Sequence, residues 1–277
     1  MIEIATSQRF RDLSPKQIVP LLADEGIYIA SESSFYRVLR EAAMLHHRAA
    51  SAAPVARPRP DHAATGPNMV WSWDITYLRT AVRGVFYRLY MIVDIWSRKI
   101  VGWEVHEEER TELAAELFVR ACDESGVDPA GLVFHADNGG PMKGSTMLAT
   151  LQRLGAVPSF SRPRVSDDNP FSESLFRTLK YRPGYPSKPF ASLEDARRWV
   201  AGFVAWYNHE HLHSGIGFVT PADRHAGRDI AILEGRRRVY LRAARRRPER
   251  WTNEPRRWER PDVVHLTPQR DEAAAAA

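Results

Sequence analysis

Cysteine is nearly missing from this chain. Its 277 residues include one, Cys122, so no internal disulfide can form, and that usage fits a reducing cytosol. Cys122 falls in a helical pattern with Phe118 and Val119 and reads as a buried, inert thiol. Long apolar runs are missing too. No stretch approaches the roughly 18 apolar residues of a membrane-spanning helix, and Met1 to Arg9 lacks the apolar centre of a secretory signal. Compositional bias is absent as well. Hydrophobic residues make up 44% and charged residues 26%, an ordinary globular balance that suits one large domain or two to three small ones.

What is present is an uneven distribution of charge. The net charge is +5, but residues 228–260 hold 12 Arg against 5 Asp/Glu, while residues 1–227 balance 26 against 26. A basic C-terminal block of this kind points to a polyanion, usually nucleic acid. The alternative is a solvated arginine-rich helix.

Residues 14–44 read as two helices. Ser14 caps the first, with Pro15 in its first position, and Ile18, Leu21 and Leu22 follow helical spacing up to Gly26. Ser31 caps the second, which carries Phe35, Val38 and Leu39. Helix, short connection, helix is the outline of a helix-turn-helix, assigned to residues 10–48. Residues 49–67, rich in Ala and Pro, read as a linker.

From residue 69 the period changes. Trp71, Trp73, Ile75 and Tyr77 alternate with Ser72, Asp74 and Thr76, which predicts a strand with Asp74 on its polar side. Strands over Val85 to Ile95 and Ile100 to Val105 complete an antiparallel meander. A helix over Thr111–Ser125, a strand over Gly131–His135, a helix over Ser145–Leu154, a strand over Val157–Phe160 and a helix from Asn169 to Tyr181 follow. The class is α/β, and the element order is that of the ribonuclease-H-like fold, a mixed sheet flanked by helices in which the first and fourth strands are neighbours. The catalytic core is assigned to 68–188, a helical extension to 189–227 and an arginine-rich region to 228–277.

Three carboxylates stand out. Asp74 is a charge in mid-strand, where charge is disfavoured. Asp137 ends the fourth strand, the end at which α/β folds place their sites. Glu173 lies in the first turn of the helix that Asn169 caps and Pro170 begins, and it shares a polar face with Arg177 and Lys180, opposite Phe171, Leu175 and Leu179. Between Asp137 and Glu173 lie 35 residues. Three carboxylates suit two magnesium ions, which prefer hard oxygen ligands and support in-line attack on a phosphodiester. Singly, each acid reads as structural or solvated; the arrangement gives the trio its meaning.

Trp73-Asp74-Ile75-Thr76-Tyr77, Asp94-Ile95-Trp96-Ser97-Arg98, His135-Ala136-Asp137-Asn138-Gly139, Asp168-Asn169 and Glu173 to Lys180 resemble bacterial insertion-sequence transposases with a retroviral-integrase-like core. The likeness continues through Trp206-Tyr207-Asn208, His213 and Pro248-Glu249-Arg250-Trp251. It implies the second-reading-frame catalytic protein of such an element, a strand-cleaving and strand-transferring enzyme. Its metal ligands would be Asp74, Asp137 and Glu173, binding two Mg2+ with Mn2+ able to substitute. It implies double-stranded DNA as partner, a homo-oligomer on DNA, a first-reading-frame protein as a further partner, and a cytoplasmic, nucleoid-associated setting. Ser34, Arg37 and Arg40 would reach bases; Arg177, Lys180 and the basic tail would reach phosphates.

Other readings remain beside it. His209-Glu210-His211-Leu212-His213 satisfies the zinc-protease pattern H-E-x-x-H, with Glu234 as a conceivable third ligand. A non-catalytic DNA-binding regulator would use the helix-turn-helix and tail, and a ribonuclease-H-type nuclease would share fold and metals. Trp251 and Trp258 can stack on nucleic acid or pin the tail to the core, and Asp94 reads as structural.

Overall fold

The computed structural model describes residues 1–44, 59–139, 143–162 and 168–267. Most of the expected linker, the last residues of the expected helix-turn-helix segment and the C-terminal alanines lie outside these residues. The chain divides into two units, Met1–Ala56 and Arg57–Ala277.

The first unit holds α1 (Ile2–Thr6), α2 (Pro15–Asp24) and α3 (Glu32–Glu41). At the start of α2 the Gln17 side chain accepts from both the amide and the hydroxyl of Ser14, and at α3 the Ser31 hydroxyl accepts from the Ser34 amide at 3.3 Å. Gly26 ends α2 with φ +78°, a conformation that costs a glycine little. Phe10, Ile18, Leu22 and Phe35 close a small core, joined by Ile4 of α1. The helix α1 was not foreseen; five residues are too few to show a period.

The second unit is built on a five-stranded sheet of order β4-β3-β2-β5-β6. Its strands are β2 (Val70–Arg79), β3 (Phe86–Asp94), β4 (Ile100–His106), β5 (Val133–Ala136) and β6 (Val157–Phe160), preceded by the short β1 (Ala63–Ala64). Strands β4, β3 and β2 form the antiparallel meander, and β5 and β6 add in parallel. The first and fourth strands of the expected core are neighbours. Helices α4 (Thr111–Ser125) and α5 (Ser145–Arg153) cover one face through Trp71, Trp73, Phe118, Phe134 and Met147. Helices α6 (Pro170–Tyr181) and α7 (Leu193–His209) cover the other through Leu78, Met91, Leu175, Leu179 and Phe203. Covering both faces explains why β3 is apolar without alternation from Leu89 to Val93. At Gly102 a Cβ would stand 2.9 Å from that of Ala121, so glycine permits α4 to lie against β4. This is the ribonuclease-H-like mixed sheet flanked by helices.

The face that carries Ser72, Asp74 and Thr76, read from sequence as the strand's polar side, is covered by α6; Ser72 and Thr76 are buried. Asp94 is buried as well. It accepts from the Asn68 amide at 2.6 Å and from the Ser97 amide and hydroxyl at 2.7 and 2.6 Å, so it holds the β3–β4 turn.

Beyond α7 come α8 (Pro221–His225), α9 (Asp229–Arg246) and β7 (Val264–His265). Strand β7 pairs antiparallel with β1, so residues 63 and 64 of the expected linker are paired strand. Arg224 is fully buried. It donates to the carbonyls of Trp96 at 2.8 Å and Pro261 at 2.7 Å and faces Asp229 at 3.4 Å. Trp258 packs on Ile216, Val219 and Leu233, and Trp251 meets Tyr240, so both tryptophans lie against their own unit. Cys122 is buried, and burial pushes its thiol up to about 11. Among the described residues no helix is long and apolar enough to cross a membrane.

Candidate active site

The sheet register brings the first two carboxylates together. In the parallel β2–β5 pair the partners run Val70–Val133 to Trp73–Ala136, and the next step along both chains is Asp74 and Asp137. Neighbouring strands lie about 4.8 Å apart. Asp137 leaves β5 where its ladder ends, and the Ser161 hydroxyl, just past β6, donates to its Oδ1 at 2.6 Å. Asn138 donates to the Ser161 carbonyl, which ties the same two segments again.

The third carboxylate arrives on α6. Ser72, two residues before Asp74 on the same strand face, donates to the Asn169 side-chain oxygen at 2.5 Å and contacts the Ser172 hydroxyl at 2.7 Å. The Asn169 amide donates to the Trp73 carbonyl at 3.3 Å. Asn169 was expected to cap α6 with its side chain. No such cap bond forms; the side chain is spent on β2, and the backbone carbonyl of Asn169 receives the Glu173 amide instead. These bonds fix the first turn of α6 over Asp74, with Glu173 exposed on it. Asp168, one residue earlier, is buried and takes both prongs of the Arg162 guanidinium at 2.9 Å, which holds its carboxyl below the usual range.

Electrostatics reports the result. Burial is the main cause that pushes Asp74 up to about 7; the Ile75 amide opposes it, and Asp137, Glu173 and Glu109 add to the rise. Glu109 is a fourth acid that the sequence reading did not single out; it accepts from Tyr77 at 2.9 Å. Lys180 lies within the field of Asp74, and although the side chain is exposed overall, partial desolvation of its ammonium lowers its pKa. Arg177 is exposed on the same helix. Beneath the site His135 is buried against Ser159 at 2.9 Å, and burial holds it down to about 4, so it is neutral at physiological pH.

Asp74 and Asp137 are thus juxtaposed and Glu173 is within electrostatic reach. Among the described residues, however, no three His, Cys, Asp or Glu side chains are gathered closely enough to hold a metal ion as they stand. The zinc-protease pattern fails on its backbone. Helix α7 stops at His209, and His213 lies beyond it in a bridge to Val219, so the two histidines do not share a helical turn. In the first unit Arg37 and Arg40 are exposed on α3, whereas Ser34 is half-buried and engaged with Ser31.

Two family models, both described as an integrase core domain, match residues 64–166 and 154–221. Residues 64–221 thus match an integrase core domain from end to end. Among curated relatives, the transposase for insertion sequence element IS904 of Lactococcus lactis is 35% identical over 161 residues, 58% of this chain and 62% of that protein. The transposase InsF for insertion sequence IS3A of Escherichia coli is 33% identical over 162 residues, 58% of this chain and 55% of that protein. The chain thus spans about three-fifths of the length of these relatives. Among solved structures, the intasome of simian T-cell lymphotropic virus in complex with PP2A regulatory subunit B56 gamma has TM-score 0.49 and 18% identity, over 80% of this chain and 73% of that one. The integrase core here contains all three candidate carboxylates, and α9 and β7 lie beyond the matched segment.

Proposed function

We propose that this chain is a DNA transposase that cleaves phosphodiester bonds and transfers strands, with Asp74, Asp137 and Glu173 as its metal ligands. The observation that carries the reading is the step of register that sets Asp74 beside Asp137 at the end of β5, with the first turn of α6 clamped above them. The donor set is all oxygen. Burial, and after it Asp137 and Glu173, raise the proton affinity of Asp74, a cost that a hard divalent cation such as magnesium would relieve. Two such ions, when bound, would supply an activated attacking oxygen and a stabilised leaving oxygen. The insertion-sequence relatives are named transposases, which supports DNA as the substrate.

The chain's own residues do the rest. Asp74, Asp137 and Glu173 hold their oxygens on rigid strands and a clamped helix. Lys180 and Arg177, on the helix of Glu173, set the DNA backbone beside them. The arginines of α9 extend the contact, and Arg37 and Arg40 of α3 read the element's ends. Water attack frees a 3′-hydroxyl, and that hydroxyl attacks a second strand; no protein nucleophile takes part. The assembly is a homo-oligomer on DNA, with a first-reading-frame protein as a further partner and the nucleoid as its setting.

The test is strand cleavage and transfer on DNA carrying the element's ends, with and without magnesium. Asp74→Asn and Glu173→Gln are expected to abolish both reactions and leave DNA binding intact. A Glu173→Gln protein that still cleaves would remove Glu173 from the ligand set.

A further inference from the structure

Motif residues that the carboxylate site leaves without a role meet in one cavity. Arg98 closes the turn after β3, Tyr207 lies near the end of α7, and His213 follows it. With Phe171 and Ser174 of α6 and His265 of β7 they line a cavity of about 180 Å3. At roughly 30 Å3 per water, that is room for a small oxyanion with part of its hydration.

Arg98 is held in place by its neighbours. Its guanidinium lies 4.1 Å from the Phe171 ring centroid and donates from Nη1 to the Ile95 carbonyl at 2.5 Å. Its backbone sits at φ +68°, a left-handed conformation that a non-glycine residue rarely takes. Among the described residues, Asp94 is the carboxylate whose field reaches it. Asp94 stands beyond ion-pair distance and is already engaged by Asn68 and Ser97. Among the described residues the remaining prongs of the fork meet no carboxylate.

Val93, Pro170 and Phe171 give the cavity apolar walls, and its other polar groups can donate. His213 accepts from the Gly215 amide through Nδ1 at 3.1 Å, so its second ring nitrogen carries the proton. Burial beside Arg98 pushes His213 down to about 4, which keeps the ring neutral. Tyr207 and Ser174 add hydroxyls, and burial pushes Tyr207 up, so it too stays protonated. His265 turns Nδ1 to Asp61 at 3.5 Å, and among the described residues no acid side chain lines the cavity. A fixed guanidinium fork with neutral N–H and O–H groups is the donor set that suits a phosphate oxygen.

We infer that this cavity binds a phosphate group, gripped by Arg98 with hydrogens from His213, Tyr207 and Ser174. The source of the phosphate rests on the transposase reading. Ser174 directly follows Glu173, so a phosphate in the cavity would belong to a DNA strand held next to the carboxylate site. Free phosphate is the other source with the same chemistry.

The probe is inorganic phosphate, titrated into the metal-free full chain and followed by thermal shift and 31P line broadening. A saturable rise in Tm is expected. Ser174→Asp, which puts a carboxylate into the lining, should weaken binding about tenfold or more with unchanged circular dichroism. Arg98→Lys should weaken it as well, since one ammonium lacks the two-pronged contact. Arg98 packs on Phe171, so Ser174→Asp, at an exposed helical position, carries the result if the lysine variant does not fold. No saturable response in the unsubstituted chain, or equal affinity in Ser174→Asp, overturns the site. In a second arm, a duplex carrying the element's ends is added. Competition with phosphate supports the DNA source; phosphate binding that DNA does not displace overturns that source. Neither arm needs turnover, so the result stands apart from the Glu173→Gln cleavage assay.

Discussion

The Ser72 hydroxyl and the Asn169 side-chain oxygen lie 2.5 Å apart, although 97 positions separate them in the chain. Both residues are fully buried. Their bond, with those of Ser172 and the Trp73 carbonyl, carries the first turn of α6 to β2 and so relates Glu173 to Asp74. Replacing Ser72 by Ala leaves Asn169 without that partner, at about 1–3 kcal/mol. Small displacements of reacting groups cost up to about a hundredfold in rate. Ser72→Ala is therefore expected to cleave at least about tenfold more slowly while binding DNA normally. Unchanged cleavage in a correctly folded Ser72→Ala protein would show that the clamp does not set the site.

Arg224 and Asp229 are both fully buried and face each other at 3.4 Å, with Arg260 on the far carboxylate oxygen at 3.8 Å. Breaking a buried pair from one side costs about 3–5 kcal/mol. Arg224→Met should lower the urea midpoint by that amount of stability, and Arg224→Met with Asp229→Leu should recover part of it. A single variant less than about 1 kcal/mol weaker would mean that the site relaxes around the loss.

Acid should loosen the fold through three buried histidines, opposed in part by Asp74, which takes up its own proton from about 7. Burial holds His135, His213 and His225 down to about 4, against 6.5 for the free ring. The unfolded chain takes up these protons below 6.5 and the folded chain resists until about 4. Their contribution is complete above 6.5 and declines as the pH falls toward 4. Urea midpoints measured from pH 7.5 to 4.5 are expected to drop, and His225→Gln should flatten the drop. A flat profile in the unsubstituted protein would contradict the burial of these rings.

Arg242, Arg246, Arg247 and Arg250 line a cleft of about 530 Å3 with Trp251. If each of two arginines meets one phosphate, removing both reduces the slope of log K against log salt by roughly 1.8. Arg242→Gln with Arg246→Gln should show this in filter binding at several salt concentrations, with weaker binding to every sequence tested. An unchanged slope would leave α9 outside the DNA contact.

The fold was legible where its signals were local. Trp71 and Trp73 alternate with polar residues, the apolar run through β3 is continuous, and Asn169-Pro170 marks the start of α6, so the core elements could be drawn from the sequence. The order of Asp74, Asp137 and Glu173 was visible for the same reason. What needed the structure was long-range. The register of Trp73 on Ala136, the Ser161 brace on Asp137, the proximity of Glu109 and the diversion of Asn169 from cap to clamp each join distant segments. Strands β1 and β7 have two residues each and no period to read. The H-E-x-x-H pattern needs a helix through His213, and the helix ends at His209.

The pairing of Ala63–Ala64 with Val264–His265 has a consequence for biosynthesis. It joins positions about 200 residues apart, and ribosomes add roughly 5–20 residues per second. The five-stranded sheet can close around Asp74 and Asp137 while α9 is still being made, but β1 waits tens of seconds for its partner. The growing chain can therefore complete its sheet first and close the β1–β7 pair last. Any nascent molecule halted before Val264 would carry the finished five-stranded sheet and an α9 already packed through Leu233, with β1 still unpaired.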